Sequence, residues 1–529
     1  MKKRTALKQS FIHGTMILLA AGIMNRILGF VPRILLPRVI GAEGIGLYQM
    51  GFPFLIVLLT VITGGIPLAV AKLVAEAESA GNERRIRTIL HVALGLSVSL
   101  GLAFSVFCLF AVPWITSTLL TDRRVYLTFL CMTPMLPIVA ISAVYRGYFQ
   151  GRHNMIPTAL SQIIETLVRI VAMLLFAYLM LPLGIEYAAA GAMLGVMVGE
   201  VGGMAVLLIQ FHNSKAQYQA YEKATIGHHG SPARRLDALR RLLRLAVPVT
   251  ASRLVGSASY FLESVMIVQS LAIAGVATAL ATAQYGTLQG MVIPVLLLPS
   301  AITYSLAVSL VPSLSEAAAR KDTATIHKRL RQSLRLALVT GAPFAVILFV
   351  LAEPLCYYLY HDSEVGRMLK LMAPVAIFIY LQGPLQATLQ ALDRPGTALM
   401  NTFIGASVKL VLIYQLATQP QWGILGAVMA INANIMLVTI FHGLSVSKLL
   451  QFKMNNMDFL KVGFSMLLMG IVSYIIMTEP WTDHRFTRFM ASCTISLLLY
   501  IWLMMRLKMI DRRDFIRIPW LGSRLSKWM

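Results

Sequence analysis

The sequence predicts an all-α polytopic membrane protein with fourteen transmembrane helices, built as two six-helix lobes plus two C-terminal helices. Three observations predict it. The chain of 529 residues is 57% hydrophobic and 13% charged, with a mean hydropathy of +0.73, a composition whose solvent is mostly lipid. Apolar stretches of about 20 residues recur along its whole length. Segments of the first half also return in the second at a nearly constant offset.

The fourteen candidate spans begin near residues 11, 46, 88, 125, 156, 187, 242, 282, 332, 371, 397, 424, 459 and 487. The longest connection, HNSKAQYQAYEKATIGHHGSPARRLDALRR (212–241), is polar and basic with Gly and Pro in its middle, and reads as a cytoplasmic linker. It divides an N-lobe (1–211, spans 1–6) from a C-lobe (242–450, spans 7–12), with spans 13 and 14 and a basic tail in 451–529. No connection is long enough to fold as a soluble domain.

The net charge of +24 raises nucleic acid as a partner. Its distribution argues against that reading. With the amino terminus inside, 34 of the 46 Lys and Arg fall in inner segments, 7 in outer loops and 5 within spans: Arg26, Arg33, Arg169, Arg253 and Lys409. The positive-inside rule then places both termini in the cytoplasm of a multi-pass cell-membrane protein. Anionic membrane lipid is an expected contact, and nucleic acid is not needed. The start MKKRTALKQSFIHGTMILLAAG imitates a signal peptide, but its apolar run continues past Arg26 to Leu36, so an uncleaved first helix is expected. Cys108, Cys131, Cys356 and Cys493 have neither CxxC spacing nor His partners, so no metal site or disulfide framework is expected.

The repeat is weak but ordered. LAVAKLVAEAESAG (68–81) resembles LAVSLVPSLSEAAA (306–319), TALSQIIETLVRIV (158–171) resembles TALMNTFIGASVKLV (397–411), and AAAGAML near 191 pairs with ILGAVMA near 426. Arg169 thus matches Lys409. Six spans per copy is an even number, so the repeats are parallel, and transport sites commonly lie between such repeats near the midplane.

Charges sunk in spans mark pathways, because an Arg at mid-bilayer costs roughly 2.5–3.5 kcal/mol unless it faces a wet cavity or a partner. In span 1, Gly22, Arg26, Gly29 and Arg33 recur at helical spacing, giving one basic and otherwise small face. Two guanidinium forks there can grip phosphate oxygens in pairs. The structural alternative is that Arg33 snorkels outward and Arg26 pairs with a Glu of a neighbouring helix. In span 5, Gln162, Glu165 and Arg169 share a face and permit an internal ion pair. Glu200 lies in span 6, and Arg253 and Glu263 lie in span 7 with Ser257 and Tyr260 between. These spans hold four arginines against three glutamates, which favours an anion and leaves a carboxylate for a coupling monovalent cation.

Gly191, Gly195, Gly199 and Gly203 in span 6 form a small-residue ridge suited to close helix packing. Pro67, Pro294 and Pro299 are candidate hinges. No Walker sequence occurs, so direct ATP use is not expected, and no cofactor is expected beyond a coupling cation or the membrane potential.

GTMILLAAGIMNRILGFVPRILLPRVIGAEGIGLYQM (14–50) and GIPLAVAKLVAEAES (65–79) resemble the opening of the stage V sporulation protein B family, in the polysaccharide-transport branch of the multidrug/oligosaccharidyl-lipid/polysaccharide exporter superfamily. RILGFV in span 1 and VPSLS (311–315) are also similar to the lipid II flippases of that superfamily. The resemblance implies a non-enzymatic flippase that turns an undecaprenyl-pyrophosphate-linked saccharide, a peptidoglycan precursor for the spore cortex, across the cytoplasmic membrane by alternating access. It further implies that Arg26, Arg33 and Arg253, with Asn25 and Arg169, hold the substrate, that Glu165, Glu200 or Glu263 takes the coupling ion, and that cell-wall synthesis proteins are partners. Two departures stand out: Pro32 displaces the second arginine by one place, and QYGTLQGM (284–291) lacks the Arg and Glu that lipid II flippases carry in span 8. A multidrug cation antiporter and a non-transporting scaffold are the alternatives. A membrane-embedded glycosyltransferase would need acidic or catalytic clusters on sizeable loops, and none is present.

Overall fold

The computed structural model describes residues 11–224 and 235–509, and the chain divides into two compact units, Met1–Gly290 and Met291–Met529. The expected basic amino-terminal segment, the centre of the linker and the basic tail from 510 onward lie outside the described residues. Every regular element among the described residues is helical. The first unit holds α1 (Phe11–Leu28), α2 (Phe30–Thr63), α3 (Ile66–Ser79), α4 (Glu83–Trp114), α5 (Val125–Met132), α6 (Met135–Gly151), α7 (Ile156–Met180), α8 (Ile185–Ala224), α9 (Arg235–Ile273) and α10 (Thr278–Gly286). The second holds α11 (Ile293–Leu297), α12 (Ser300–Ala319), α13 (Thr323–Val350), α14 (Ala352–Tyr360), α15 (Val365–Met372), α16 (Ala376–Ala391), α17 (Pro395–Ala417), α18 (Gly423–Leu450), α19 (Asn456–Thr478) and α20 (Arg485–Arg506).

Twelve segments among the described residues are long and apolar enough to cross a membrane. The difference from fourteen has two local causes. One segment, Ala20–Ser79, runs for 60 residues, which at about 1.5 Å per residue is far longer than one bilayer crossing. It is broken at Gly41, whose φ of 67° lies in the region open to glycine. The other cause is residues 278–319, expected as span 8, which are interrupted by a π-helical turn at Thr287–Val292 and by α11. Pro294 stands in the first turn of α11 and Pro299 caps α12, while Pro67 opens α3 behind Gly65. These prolines start helices, where the missing N–H costs nothing, so all three stand at junctions between helices and none bends a helix from within.

The linker is also shorter than the sequence suggests. Its first half continues α8 to Ala224 and its end already belongs to α9, which starts at Arg235, because AQYQAYEKA is rich in helix formers and free of Gly and Pro. The helices α9 and α10 pack on α2. The contact boundary therefore falls at Gly290 rather than within the linker.

The duplication is written into the turns. Gly81 and Lys321 both have positive φ (66° and 55°), as do His153 and Asp393 (both 55°). Asn82 caps α4 by accepting from the Arg85 N–H at 2.9 Å, and Asp322 caps α13 by accepting from the Thr325 N–H at 2.9 Å. Asp122 accepts from the Arg124 N–H at 3.0 Å as Asp362 accepts from the Glu364 N–H at 2.9 Å. Each pair is separated by the same 240 positions in the numbering. In the first unit the core lies between α3, α4 and α6, around Val70, Leu73, Ile86 and Phe149. The second unit's larger core joins α13, α16 and α18 to α19 and α20 through Leu334, Leu338, Met469 and Tyr500.

Candidate substrate and coupling site

The basic face of span 1 does not run straight through. The helix breaks at Gly29, whose N–H still bonds the Asn25 carbonyl at 2.8 Å. Pro32, one turn into α2, has no N–H to carry the ladder on. Arg26 therefore closes α1 and Arg33 opens α2. Both are exposed, and so is Arg253 on α9. Beside Gly22, on the Arg26 face, a Cβ would meet nothing within 4 Å, and the same holds at Gly256, next to Arg253. Room thus exists where the sequence places these two guanidinium groups. Asn25 is half-buried, and its Oδ1 is enclosed without a hydrogen bond among the described residues.

The charge of Arg33 reaches further than its own helix. Arg33 and Arg169 both act on the hydroxyl of buried Tyr48 of α2, and Arg33 also acts on Tyr260 of α9. Tyr260 in turn stands within the field of Glu263, which is buried and accepts from Gln289 Nε2 at 3.1 Å. Residues predicted separately on spans 1, 5 and 7 thus lie within electrostatic range of Tyr48 or Tyr260.

A second cluster sits where α6, α7 and α8 meet. Glu165 is buried and bridged on one side by Arg146 at 2.5 Å and on the other by Arg169 at 3.4 Å. Arg169 also donates to Thr166 Oγ1 at 3.3 Å. The internal Glu165–Arg169 pair expected from spacing is present, and it engages Arg169 with a carboxylate rather than leaving it open to a ligand. Glu200 on α8 lies within hydrogen-bonding reach of the Glu165 carboxyl, in the field of Arg146 and Arg169. Its Oε2 is enclosed and without a hydrogen bond among the described residues. The glycine ridge of α8 makes this meeting possible. A Cβ at Gly199 would lie 2.5 Å from Arg169 Cβ and 2.9 Å from the Glu165 carbonyl, and one at Gly203 would lie 3.0 Å from Glu165 Cβ. Only a helix without side chains along that stripe can bring Glu200 beside Glu165.

Arg146 is the residue that sequence reasoning assigned to an inner loop. It lies inside α6, and the signal was available in ISAVYRGYFQG, where a lone Arg is flanked by apolar and small residues. A further group missed in the sequence ties the loop before α5 to α2 and α10. Arg124 bridges Glu43 at 2.7 Å and Asp122 at 2.8 Å, and Thr282 of α10 donates to Asp122 Oδ2 at 2.8 Å. Burial pushes the Asp122 carboxyl up, but hydrogen bonds from Arg124 and Thr282 outweigh it and hold the group below the ordinary aspartate value. Nearby, α10 lies against α2 with almost no side chains between them. A Cβ at Gly286 would sit on the Ala42 carbonyl, and one at Gly46 would sit on the Thr282 carbonyl.

The family model described as Polysaccharide biosynthesis protein matches residues 11–318, and the MatE model matches residues 254–415. Stage V sporulation protein B of Bacillus subtilis (strain 168) is 40% identical over 523 residues, covering 97% of this chain and 99% of that protein. The chain belongs to the polysaccharide biosynthesis protein family, on its stage V sporulation protein B side. Within reach of this family, lipid II flippase MurJ of the same organism is 25% identical over 425 residues, or 77% of each chain. Among solved structures, lipid II flippase MurJ in an inward closed conformation matches with a TM-score of 0.69 at 17% identity, covering 95% of this chain and 100% of that one. An inward-facing multidrug resistance MATE family transporter of the MOP superfamily matches with a TM-score of 0.60 at 16% identity, covering 83% and 94%. The family resemblance read from residues 14–50 and 65–79 is thus shown. The fold is that of a multi-pass membrane transporter.

Proposed function

We propose that this member of the family is a flippase that moves an undecaprenyl-pyrophosphate-linked saccharide, a lipid II-type peptidoglycan precursor used for spore cortex synthesis, across the cytoplasmic membrane by alternating access. One observation carries the reading. Arg146 and Arg169 are engaged with Glu165, whereas Arg33 and Arg253 are exposed with no carboxylate partner among the described residues. Guanidinium groups in apolar helices with open space beside them suit a doubly anionic headgroup, which they bind through paired N–H donors in a low-dielectric setting. Arg26, Arg33 and Arg253, with Asn25 beside them, hold the pyrophosphate, while the lipid tail remains in the bilayer.

In this reading the chain makes fourteen crossings with both termini cytoplasmic, its lobes being 1–211 and 242–450, and membrane lipids and cell-wall synthesis proteins surround it. Coupling runs through a carboxylate. Glu200, enclosed and incompletely bonded, is the first choice, ahead of Glu165 and Glu263, which are already partnered. Moving one charge through 100 mV supplies about 2.3 kcal/mol, enough to bias a cycle. The MatE match over 254–415 supports multidrug cation export as the second reading, but an arginine-rich face repels a cation. Proteoliposomes holding only this protein and labelled lipid II provide the test. Flipping by the unaltered chain, and its loss in Arg26→Ala and Arg253→Ala proteins that insert normally, is the expected result. Full flipping by both variants sinks the phosphate-clamp reading, and no flipping by the unaltered chain leaves the scaffold alternative.

A further inference from the structure

Away from the arginines, the second unit contains a cavity of about 610 Å³ among α13, α16, α18 and the start of α19. Its size falls within the roughly 300–1,000 Å³ of ligand sites. The walls are buried and aliphatic: Leu334, Leu381, Leu385 and Val446. The rim is polar, with exposed Lys453 and Asn456 in and after the loop that joins α18 to α19. A loop at the end of two membrane-length helices lies at headgroup depth, while the walls reach toward hydrocarbon. Nothing narrows the cavity at Gly443, where a Cβ would meet only Leu385 Cδ1, at 4.0 Å.

Charge identifies the occupant. Between residues 448 and 461 stand Lys448, Lys453 and Lys461 against the single acid Asp458. His327 Nε2 lies 2.8 Å from the Leu450 carbonyl, which brings the start of α13, with Lys328 and Arg331, to the same end. Arg329 there is engaged with Ser313. An inorganic anion would satisfy the rim and leave the aliphatic walls wet, and a neutral lipid would fill the walls and ignore the rim.

We propose that this cavity holds one acyl chain of an anionic membrane phospholipid whose phosphate is held at Lys453. This lipid is a resident of the bilayer, separate from any transported substrate, and the proposal does not depend on the flippase reading. The test uses the full chain in a mild detergent, titrated with phosphatidylglycerol or phosphatidylethanolamine of identical acyl chains and read by native mass spectrometry. Phosphatidylglycerol is expected to be retained about fivefold over phosphatidylethanolamine, the ratio expected for one lysine near an anionic headgroup. Lys453→Gln should bring that ratio close to one. Gly443→Leu should fill the cavity and remove both lipids without lowering the melting temperature. Equal retention of the two lipids, a preference that survives Lys453→Gln, or lipid binding untouched by Gly443→Leu overturns the proposal. So does lipid-free protein, in which detergent or the chain's own residues 510–529 would take the space.

Discussion

Replacing Arg146 by Met removes the cation nearest to a buried carboxylate while keeping most of the side chain's volume. Arg146 holds Glu165 at 2.5 Å, with side-chain exposures of 20% and 10%. The remaining cation, Arg169, is farther away at 3.4 Å and more exposed at 30%, and Glu200 adds a second carboxylate to the same space. Breaking a buried pair by deleting one partner costs about 3–5 kcal/mol. The retained Arg169 and the partial exposure of Arg146 reduce this to about 2–3 kcal/mol. For a unit of this size that corresponds to a loss of roughly 5 °C in the melting temperature, followed by tryptophan fluorescence in detergent. Adding Glu165→Gln to Arg146→Met removes the orphaned charge and should recover most of the loss, a coupling of at least about 1 kcal/mol. If the double variant is as unstable as the two single losses added together, the ion pair is not what stabilises this junction.

Other outcomes follow from the same contacts. Gly286→Ala places a methyl against the Ala42 carbonyl, a backbone atom that cannot yield, and should cost about 1–3 kcal/mol. Gly256→Ala, with nothing within 4 Å, should be neutral or slightly stabilising; equal melting temperatures for the two would refute the close α2–α10 crossing. Asp122 has a folded-state pKa below its ordinary value, so its contribution is present at neutral pH and is lost as pH falls below about 4. Asp122→Asn should flatten the stability profile in that acid window, and an unchanged profile would argue against the Arg124 network. Gly199→Leu should push α8 away from α7, separate Glu200 from Glu165, and lower both stability and transport, whereas Gly22→Leu should spare stability and reduce transport alone.

Much of the site was legible because the bilayer makes charges expensive. Arg26, Arg33, Arg169, Arg253, Glu165, Glu200 and Glu263 stand out in apolar runs for that reason, and the i, i+4 spacing of Glu165 and Arg169 forecast their pair. Arg146 was hidden by a boundary: a span counted as about 20 residues from 125 ends two residues short of it, although α6 continues to Gly151. The Glu43–Asp122–Arg124–Thr282 network was hidden because it joins three stretches far apart in sequence, from α2, the loop before α5 and α10. The break at Gly29 had a visible cause in Pro32, but helical spacing alone carried the face straight past it.

Taken alone, the sequence determined the solvent of this protein, its helical class and its duplicated organisation, since these follow from composition, periodicity and repeated segments that no partner can alter, while its family was carried by the resemblance of residues 14–50 and 65–79. Tertiary structure decided which buried charges neutralise one another and which stand open. That choice depends on which helices approach closely, and here it was made by the bare glycine stripe on α8 and by single glycines, Gly46 and Gly286, where α2 meets α10, whose effect exists only once another backbone lies against them.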